Sequence, residues 1–255
     1  MKILVVGDSC TDVFVYGDIT RLTPEAPVPV FNPIRKVSNA GMSKNVANNL
    51  EALGETVYNI TNPNSIRKVR YVDHKSNQLV LRVDEHDYCD RINTGVLSSI
   101  KDNKCTIPMS GQVKIDAIII SDYCKGFLEE DDIQYICENN SNVFVDTKKK
   151  IDNWIYSIDY LKINSLEYQE NKYFIDNNEW LLKKTIITKG NAGCLFQGKM
   201  YPTDDVLVKD ISGAGDTFLA GLVVEYIKTD DIVKSIGFAQ DCTTKVVQKH
   251  GVSTI

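Results

Sequence analysis

The chain has 255 residues, 43% hydrophobic and 25% charged, with a formal net charge of -5. This length and make-up suit one large soluble α/β domain, or one domain with a small appendage. The acidic balance argues against nucleic acid and anionic membranes as partners, and no apolar run is long enough to span a bilayer.

Seven scattered cysteines form no C-x-x-C pair and no zinc spacing, which predicts reduced thiols in a cytoplasm. The run from Ile3 to Val6, closed by Gly7 and Asp8, is too short for a signal-peptide core. It reads as a strand buried on both faces of a parallel sheet. Ligands of such sheets sit beyond the carboxyl ends of the strands, within reach of Asp8 and Asp12. Asp8 serves equally well to tie a turn, so Asp12 is the better candidate.

Residues 13–37 carry alternating valines and four prolines, Pro24, Pro27, Pro29 and Pro33, which predict an irregular β excursion off the main sheet. Residues 40–54 return to helix, opened by Gly41 and capped by Gly54, with Val46, Ala47, Leu50 and Leu53 as the apolar face. Asn45, in the first turns, is either a surface residue or a ligand for sugar hydroxyls. Residues 66–84 alternate around the polar turn Asp73–Asn77, a hairpin signal. Arg70 and Arg82 are ordinarily solvated on such ribbons, and His74 and His86 receive no chemistry.

From Ala117 onward strands and helices alternate. Strands at 117–120, 143–145, 160–163 and 185–187 end in Ser121-Asp122, Asp146, Asn164 and Thr188, with Glu167 three residues after Asn164. A doubly wound sheet brings these ends to one edge. Asp210-Ile211-Ser212-Gly213-Ala214-Gly215-Asp216-Thr217-Phe218 then leads into an amphipathic helix. Two glycines at a helix start let a phosphate approach free N–H groups, and Asp216 beside them can take a proton from an attacking hydroxyl. The segment also reads simply as a glycine-rich helix start with an aspartate cap.

Together these stretches resemble the ribokinase-like (PfkB-type) carbohydrate kinases. Asp210–Phe218 matches the family's D-x-x-G-A-G-D-x-F signature intact, and Gly41–Ala47, with Asn45 in place, matches the N-terminal signature. Val5–Asp8, Arg21–Val30, Asn77–Asp84 and Ser121–Gly126 are similar to the family's heptose 7-phosphate kinases, which phosphorylate C1. The likeness runs from Lys2 to the C-terminus.

The resemblance implies a doubly wound, mostly parallel α/β sheet flanked by helices, in a single domain over 1–255. Segments 13–37 and 66–84 become a β lid, which in the family often pairs two subunits into a homodimer. It implies ATP and Mg²⁺ as cofactors and admits a monovalent cation. Asp216 becomes the catalytic base, and Gly213, Ala214 and Gly215 the anion hole. Asp12, Gly41 and Asn45 bind sugar hydroxyls, and Lys125 and Arg70 hold the substrate's phosphate. Asn164 and Glu167 position Mg²⁺ through water, Thr188 and Gly190 line the nucleotide phosphates, and Gln240 stands near the adenine.

Four departures stand out. Met42 replaces a second glycine, Thr147 a proline, and Gln240 an asparagine. The link between Ile60 and Ile66 lacks a strand–helix unit. The likeness implies the kinase half alone, without the nucleotidyltransferase half of bifunctional heptose enzymes. Rival readings are a kinase for another sugar, sugar phosphate or nucleoside, and a non-catalytic sugar- or nucleotide-binding homologue. A dinucleotide oxidoreductase is disfavoured, because no G-x-G-x-x-G follows the first strand.

Overall fold

The computed structural model describes residues 1–108, 110–249 and 253–255. In chain order the elements are β1 (Lys2–Gly7), β2 (Ser9–Leu22), β3 (Pro29–Met42), α1 (Ser43–Ala52), β4 (Thr56–Thr61), β5 (Ile66–Asp73) and β6 (Leu79–Glu85). Next come α2 (Thr94–Ser98), β7 (Lys104–Ile107), β8 (Gly111–Lys114), β9 (Ala117–Asp122), α3 (Glu130–Asn139) and β10 (Val143–Thr147). The chain continues with β11 (Tyr160–Asn164), α4 (Ser165–Asp176), α5 (Glu179–Lys184) and β12 (Thr185–Thr188). It closes with β13 (Cys194–Phe196), β14 (Lys199–Tyr201), α6 (Ala214–Thr229) and α7 (Ile232–Val247).

The main sheet runs β14-β13-β12-β11-β10-β9-β1-β4. It is parallel from β4 to β12, and β13 and β14 add an antiparallel edge. Its central strands are buried on both faces, so successive side chains feed opposite cores. Ile3, Val5, Ile119 and Phe144 pack with α1, α6 and α7. Leu4, Val6, Ile120 and Val145 pack on the other side with Ile133 and Ile136 of α3 and Ile175 of α4. This is the doubly wound α/β arrangement the sequence predicts.

The lid is a separate four-stranded sheet in the order β3-β2-β5-β6. Strands β2 and β3 form one antiparallel pair and β5 and β6 another, and β2 joins them by running parallel to β5. Leu79, Leu81 and Val83 alternate along one face of β6, and all three are exposed.

The sequence places Gly41 at the opening of a helix; the structure corrects this. Gly41 lies in β3 opposite Cys10, and α1 begins only at Ser43. A side chain at Gly41 would run into the Asp12 carboxylate and come within 2.6 Å of Cys10 Sγ, so close strand approach explains the glycine. Met42, at the corner between β3 and α1, has φ 59° and ψ -134°, a region essentially reserved for glycine. Its side chain is 4% exposed, so packing holds the strained backbone.

The shortened link leaves β4 as the edge of the main sheet. Asn62, which is buried, fastens this link to the root of the lid. Its Oδ1 accepts from Ser9 N–H at 2.7 Å, and its Nδ2 donates to Asn64 O at 2.5 Å and Ser9 O at 3.3 Å.

Met42 lends itself to a direct test. Met42→Ala and Met42→Gly lose the same packing, but only glycine relieves the backbone. Urea unfolding should therefore find Met42→Gly more stable than Met42→Ala by about 1 kcal/mol or more, the reverse of the order inside a helix.

Candidate active site

Helix α6 starts at the glycine pair. Gly213 is the N-cap with φ 82°, a left-handed conformation that favours glycine. Thr217 N–H makes the first bond back along the helix, to Gly213 O at 2.9 Å. The N–H groups of Gly215 and Asp216 precede it and lack intrahelical partners. Ser212 N–H donates to Asp210 Oδ1 at 2.8 Å, fixing the approach turn.

Asp216 is in the first turn and only 4% exposed. Asn45 Nδ2 donates to its Oδ2 at 2.8 Å, and the Tyr123 hydroxyl donates to its Oδ1 at 2.8 Å. Burial pushes its pKa from 3.8 up to about 6; the Asn45 and Tyr123 donors and the Lys162 ammonium pull it down, and Asp146 pushes it up. The helix N-terminus also favours the carboxylate. The group is thus ionised at neutral pH yet far more basic than an exposed aspartate.

Asn45 is buried in α1, where Asn49 Nδ2 donates to its backbone carbonyl at 2.8 Å. Thr217 Oγ1 donates to Asn49 Oδ1 at 3.2 Å, so α1 and α6 are joined by a polar network behind the carboxylate.

A cavity of about 150 Å³ opens on Asp216. Ser212, Gly213, Asn45 and Tyr123 line it from the main sheet and its helices. Cys10, Asp12, Lys68 and Arg70 line it from the lid, with Gly41 and Met42 at the corner. Ligand pockets commonly start at about 300 Å³, so this one suits a small polar molecule rather than a nucleotide.

Arg70 and Asp12 form an ion pair within the cavity wall, and the guanidinium lies 5.2 Å from the Phe14 ring centroid. Lys68 differs. Among the described residues it makes no ion pair, and burial lowers its pKa, with the Lys125 and Arg82 charges adding to the effect while Cys10 and Asp87 oppose it. Lys125 donates to Asp87 at 2.5 Å and does not line the cavity.

Below the helix tip, Lys162 on β11 donates to Asp146 on β10 at 2.5 Å, and both side chains are nearly sealed from solvent. The ammonium sits 2.9 Å from where a Cβ on Gly215 would stand. Asp146 Oδ1 has no partner.

Asn164 and Glu167 cap α4. Asn164 Oδ1 accepts from the N–H groups of Leu166 and Glu167 at 2.8 and 3.0 Å, and Glu167 Oε2 accepts from Asn164 N–H at 2.7 Å. Glu167 is also ion-paired with Lys148. Thr188 ends β12, and its hydroxyl donates to Ile163 O at 3.2 Å. Gly190 opens the next turn with φ 58°. Gln240 Nε2 donates to Tyr201 O at 2.6 Å, holding the β14 edge against α7. Thus Asp216, Gly213, Asp12, Gly41, Asn45 and Arg70 meet at one cavity. Lys125, Asn164, Glu167, Thr188, Gly190 and Gln240 lie outside its lining.

Four residues of the site carry no sequence-level reading of their own: Lys68, Tyr123, Lys162 and Asn49. For Lys68 the available signal is the register, since Asp12 pairs directly with it across β2 and β5. Tyr123 stands one residue past the end of β9, where strand-end residues gather.

The fold is doubly wound α/β, and a basic carboxylate beside an open helix tip can take a proton where an anionic group is held. Residues 90–255 match the model of the pfkB family carbohydrate kinases. The chain belongs to that family. It is 28% identical over 291 residues to the bifunctional protein HldE of Campylobacter jejuni serotype O:2, covering 98% of this chain and 62% of that protein. It is 28% identical over 298 residues to the bifunctional protein HldE of Nitratiruptor sp., covering 99% of this chain and 63% of that protein. The chain thus spans less than two thirds of the length of these relatives. Among solved structures it resembles Arabidopsis thaliana ribokinase complexed with ribose and ATP, with a TM-score of 0.67 and 16% identity over 98% of this chain and 93% of that one. Escherichia coli phosphofructokinase-2 in complex with potassium gives a TM-score of 0.67 and 11% identity over 98% and 93%.

The buried pair beneath Gly215 should be structurally critical. Lys162→Ala would leave Asp146 charged and unpartnered in the interior, and urea unfolding should show a loss of about 3–5 kcal/mol.

Proposed function

We propose that the chain transfers the γ-phosphoryl group of ATP to a hydroxyl of a phosphorylated sugar, a heptose 7-phosphate before others. The observation that carries this reading is one cavity lined both by a basic carboxylate, Asp216, and by a lid ammonium, Lys68, which makes no ion pair among the described residues. Asp216 takes the proton from the acceptor hydroxyl as the new O–P bond forms. The N–H groups at the start of α6 steady the charge on the transferring group. Asp12, Asn45 and the backbone at Gly41 orient the sugar. Lys68 receives its phosphate, with Arg70 beside it; Lys125, which the resemblance implies for this role with Arg70, is not among the residues that line the cavity. The heptose preference rests on the motif likeness at Arg21–Val30, Asn77–Asp84 and Ser121–Gly126.

Phosphoryl transfer of this kind runs with Mg²⁺, which is commonly bound by one or two carboxylates together with substrate phosphates. The residues fit such a group: Glu167 stands in the first turn after β11 at the carboxyl edge of the main sheet, and among the described residues Asp146 keeps one buried oxygen without a hydrogen-bond partner. Asn164 and Glu167 would hold the ion through water, and it would supply charge neutralisation at the phosphates. Thr188 and Gly190 would meet the phosphates of the nucleotide, and Gln240 would stand toward its base. The exposed Leu79, Leu81 and Val83 support a homodimer through the lid. Among the described residues no helix is long and apolar enough to cross a membrane. The free cysteines suit a reducing cytoplasm.

Asp216→Asn should lower kcat by about 10²–10⁴-fold while calorimetry still detects ATP binding; near-normal turnover would overturn the assignment. ADP release across a sugar panel should be greatest with heptose 7-phosphate and collapse when the 7-phosphate is removed. Lys68→Ala should raise KM for the phosphorylated acceptor and leave KM for ATP unchanged. For the wild-type enzyme, activity should fall as pH drops through about 6, because protonating Asp216 removes the base.

A further inference from the structure

We propose that Tyr123 is a positioning residue whose phenol sets the orientation and the basicity of the Asp216 carboxylate. This rests on reading Asp216 as the base. The Ser121–Gly126 run contributes to the family likeness, but no role for Tyr123 follows from it.

The geometry is specific. Asp8, at the end of β1 and with no exposed surface, accepts from Tyr123 N–H at 2.6 Å and from Phe127 N–H at 3.2 Å. One buried carboxylate therefore clamps both ends of the loop that carries the phenol. Between them, Cys124 takes a left-handed φ of 54°, which turns the chain sharply after Tyr123. Lys148 lies 5.4 Å from the centre of the Tyr123 ring and is itself ion-paired with Glu167. Backbone and ring are thus both fixed, and the hydroxyl reaches Asp216 Oδ1 at 2.8 Å.

Asp216 has one donor on each oxygen, Asn45 from α1 and Tyr123 from the loop after β9. Each oxygen keeps a second lone pair, so the acceptor hydroxyl can be received without displacing either donor. Both donors favour the charged form, against the burial that disfavours it. The other charged or titratable groups facing Asp216 are accounted for. Lys162 on β11 is engaged by Asp146 on β10, Cys10 on β2 has its pKa pushed up to about 12, and Lys148 is held by Glu167. From the lid, Asp12 and Arg70 neutralise each other, and Lys68 is the remaining cation in the cavity. Without the phenol proton, Asn45 would be the only direct side-chain donor left among the described residues.

Tyr123→Phe removes that proton and keeps the ring under Lys148. Titration of the side-chain carboxyls by ¹³C-NMR, with Asp216→Asn assigning the resonance, reads the base in the protein without substrates. The Asp216 midpoint should rise by about one pH unit, as a hydrogen bond to a charged group implies. The acid limb of kcat against pH should move up with it, with no more than a severalfold loss of kcat on the alkaline plateau. A second variant, 3-fluorotyrosine at position 123, makes the phenol a stronger donor and should move the midpoint the opposite way. Paired opposite shifts would not come from a merely structural role. An unmoved midpoint in a folded Tyr123→Phe protein overturns the proposal; if that variant does not fold, an unmoved midpoint with 3-fluorotyrosine does so. A moved midpoint without phosphorylation of any sugar would leave Tyr123 as assigned and sink the acceptor reading. Normal turnover with an unmoved midpoint would do the reverse.

Discussion

A carboxyl group sealed into the first turn of a helix is under two opposed demands. Burial favours its protonated form, whereas the helix field and two aimed donors favour the anion. At Asp216 the balance rests near pH 6, between an ordinary aspartate and a permanently neutral acid. Much of the surrounding architecture maintains that balance. Helix α6 gives the field, α1 brings Asn45, and the exit of β9 brings Tyr123. Asn49 and Thr217 brace α1 against α6 at the same level. Take away any of these supports and the group becomes either more readily protonated near neutral pH or less well aimed.

The same logic extends to the carboxyl edge of the main sheet. Strand ends that meet a polar ligand gather charged groups into a region that is otherwise core. Here they are neutralised in pairs: Lys162 with Asp146, Lys148 with Glu167, and Lys149 near Asp122 at 3.8 Å. Pairing removes most of the penalty of burying a charge, although a hydrophobic pair would pack as well. Among the described residues, Asp146 keeps one buried oxygen without a hydrogen-bond partner and Lys68 makes no ion pair, so neutralisation is incomplete at both.

Much of this was readable in the sequence, for definite reasons. The runs at Ile3–Val6 and Ala117–Ile120 are continuous because both faces of those strands are buried. Glycine at 213 marks a φ that other residues avoid, so the start of α6 was legible to within about a turn. Asp12 followed from its place beyond the end of β1, and the roles of Asn45 and Arg70 from the family likeness; the three meet at one cavity. What was hidden depends on register and on distant contacts. Lys68 enters the cavity because β2 runs parallel to β5, a crossover that no local pattern reveals. Gly41 looked like a helix opening because it precedes α1, but the requirement it meets comes from Asp12 and Cys10 on the neighbouring strand. The β13–β14 hairpin turns through Gln197 and Gly198, both at positive φ, and Gln-Gly is a weaker turn signal than Asn-Gly.

The division of labour between the two sheets follows from these placements. Asp216 and the helix tip belong to the main sheet, whereas Asp12, Lys68 and Arg70 belong to the lid. A site split in this way works only if the two halves keep their spacing, and loosely tethered sheets would not keep it. Three bonds pin the root of the lid: Ser43 N–H to Asp8 O at 3.0 Å, Ser43 Oγ to Gly7 O at 3.2 Å, and Ser9 N–H to Asn62 Oδ1 at 2.7 Å. All three fall within a few residues of the corner where Met42 holds its strained backbone. The short link after Ile60 strengthens this anchorage, because it carries β4 directly into β5 through the Asn62 clasp instead of through a long excursion. The missing strand–helix unit thus exposes the sheet edge at β4, while the lid stays fixed where it meets the cavity.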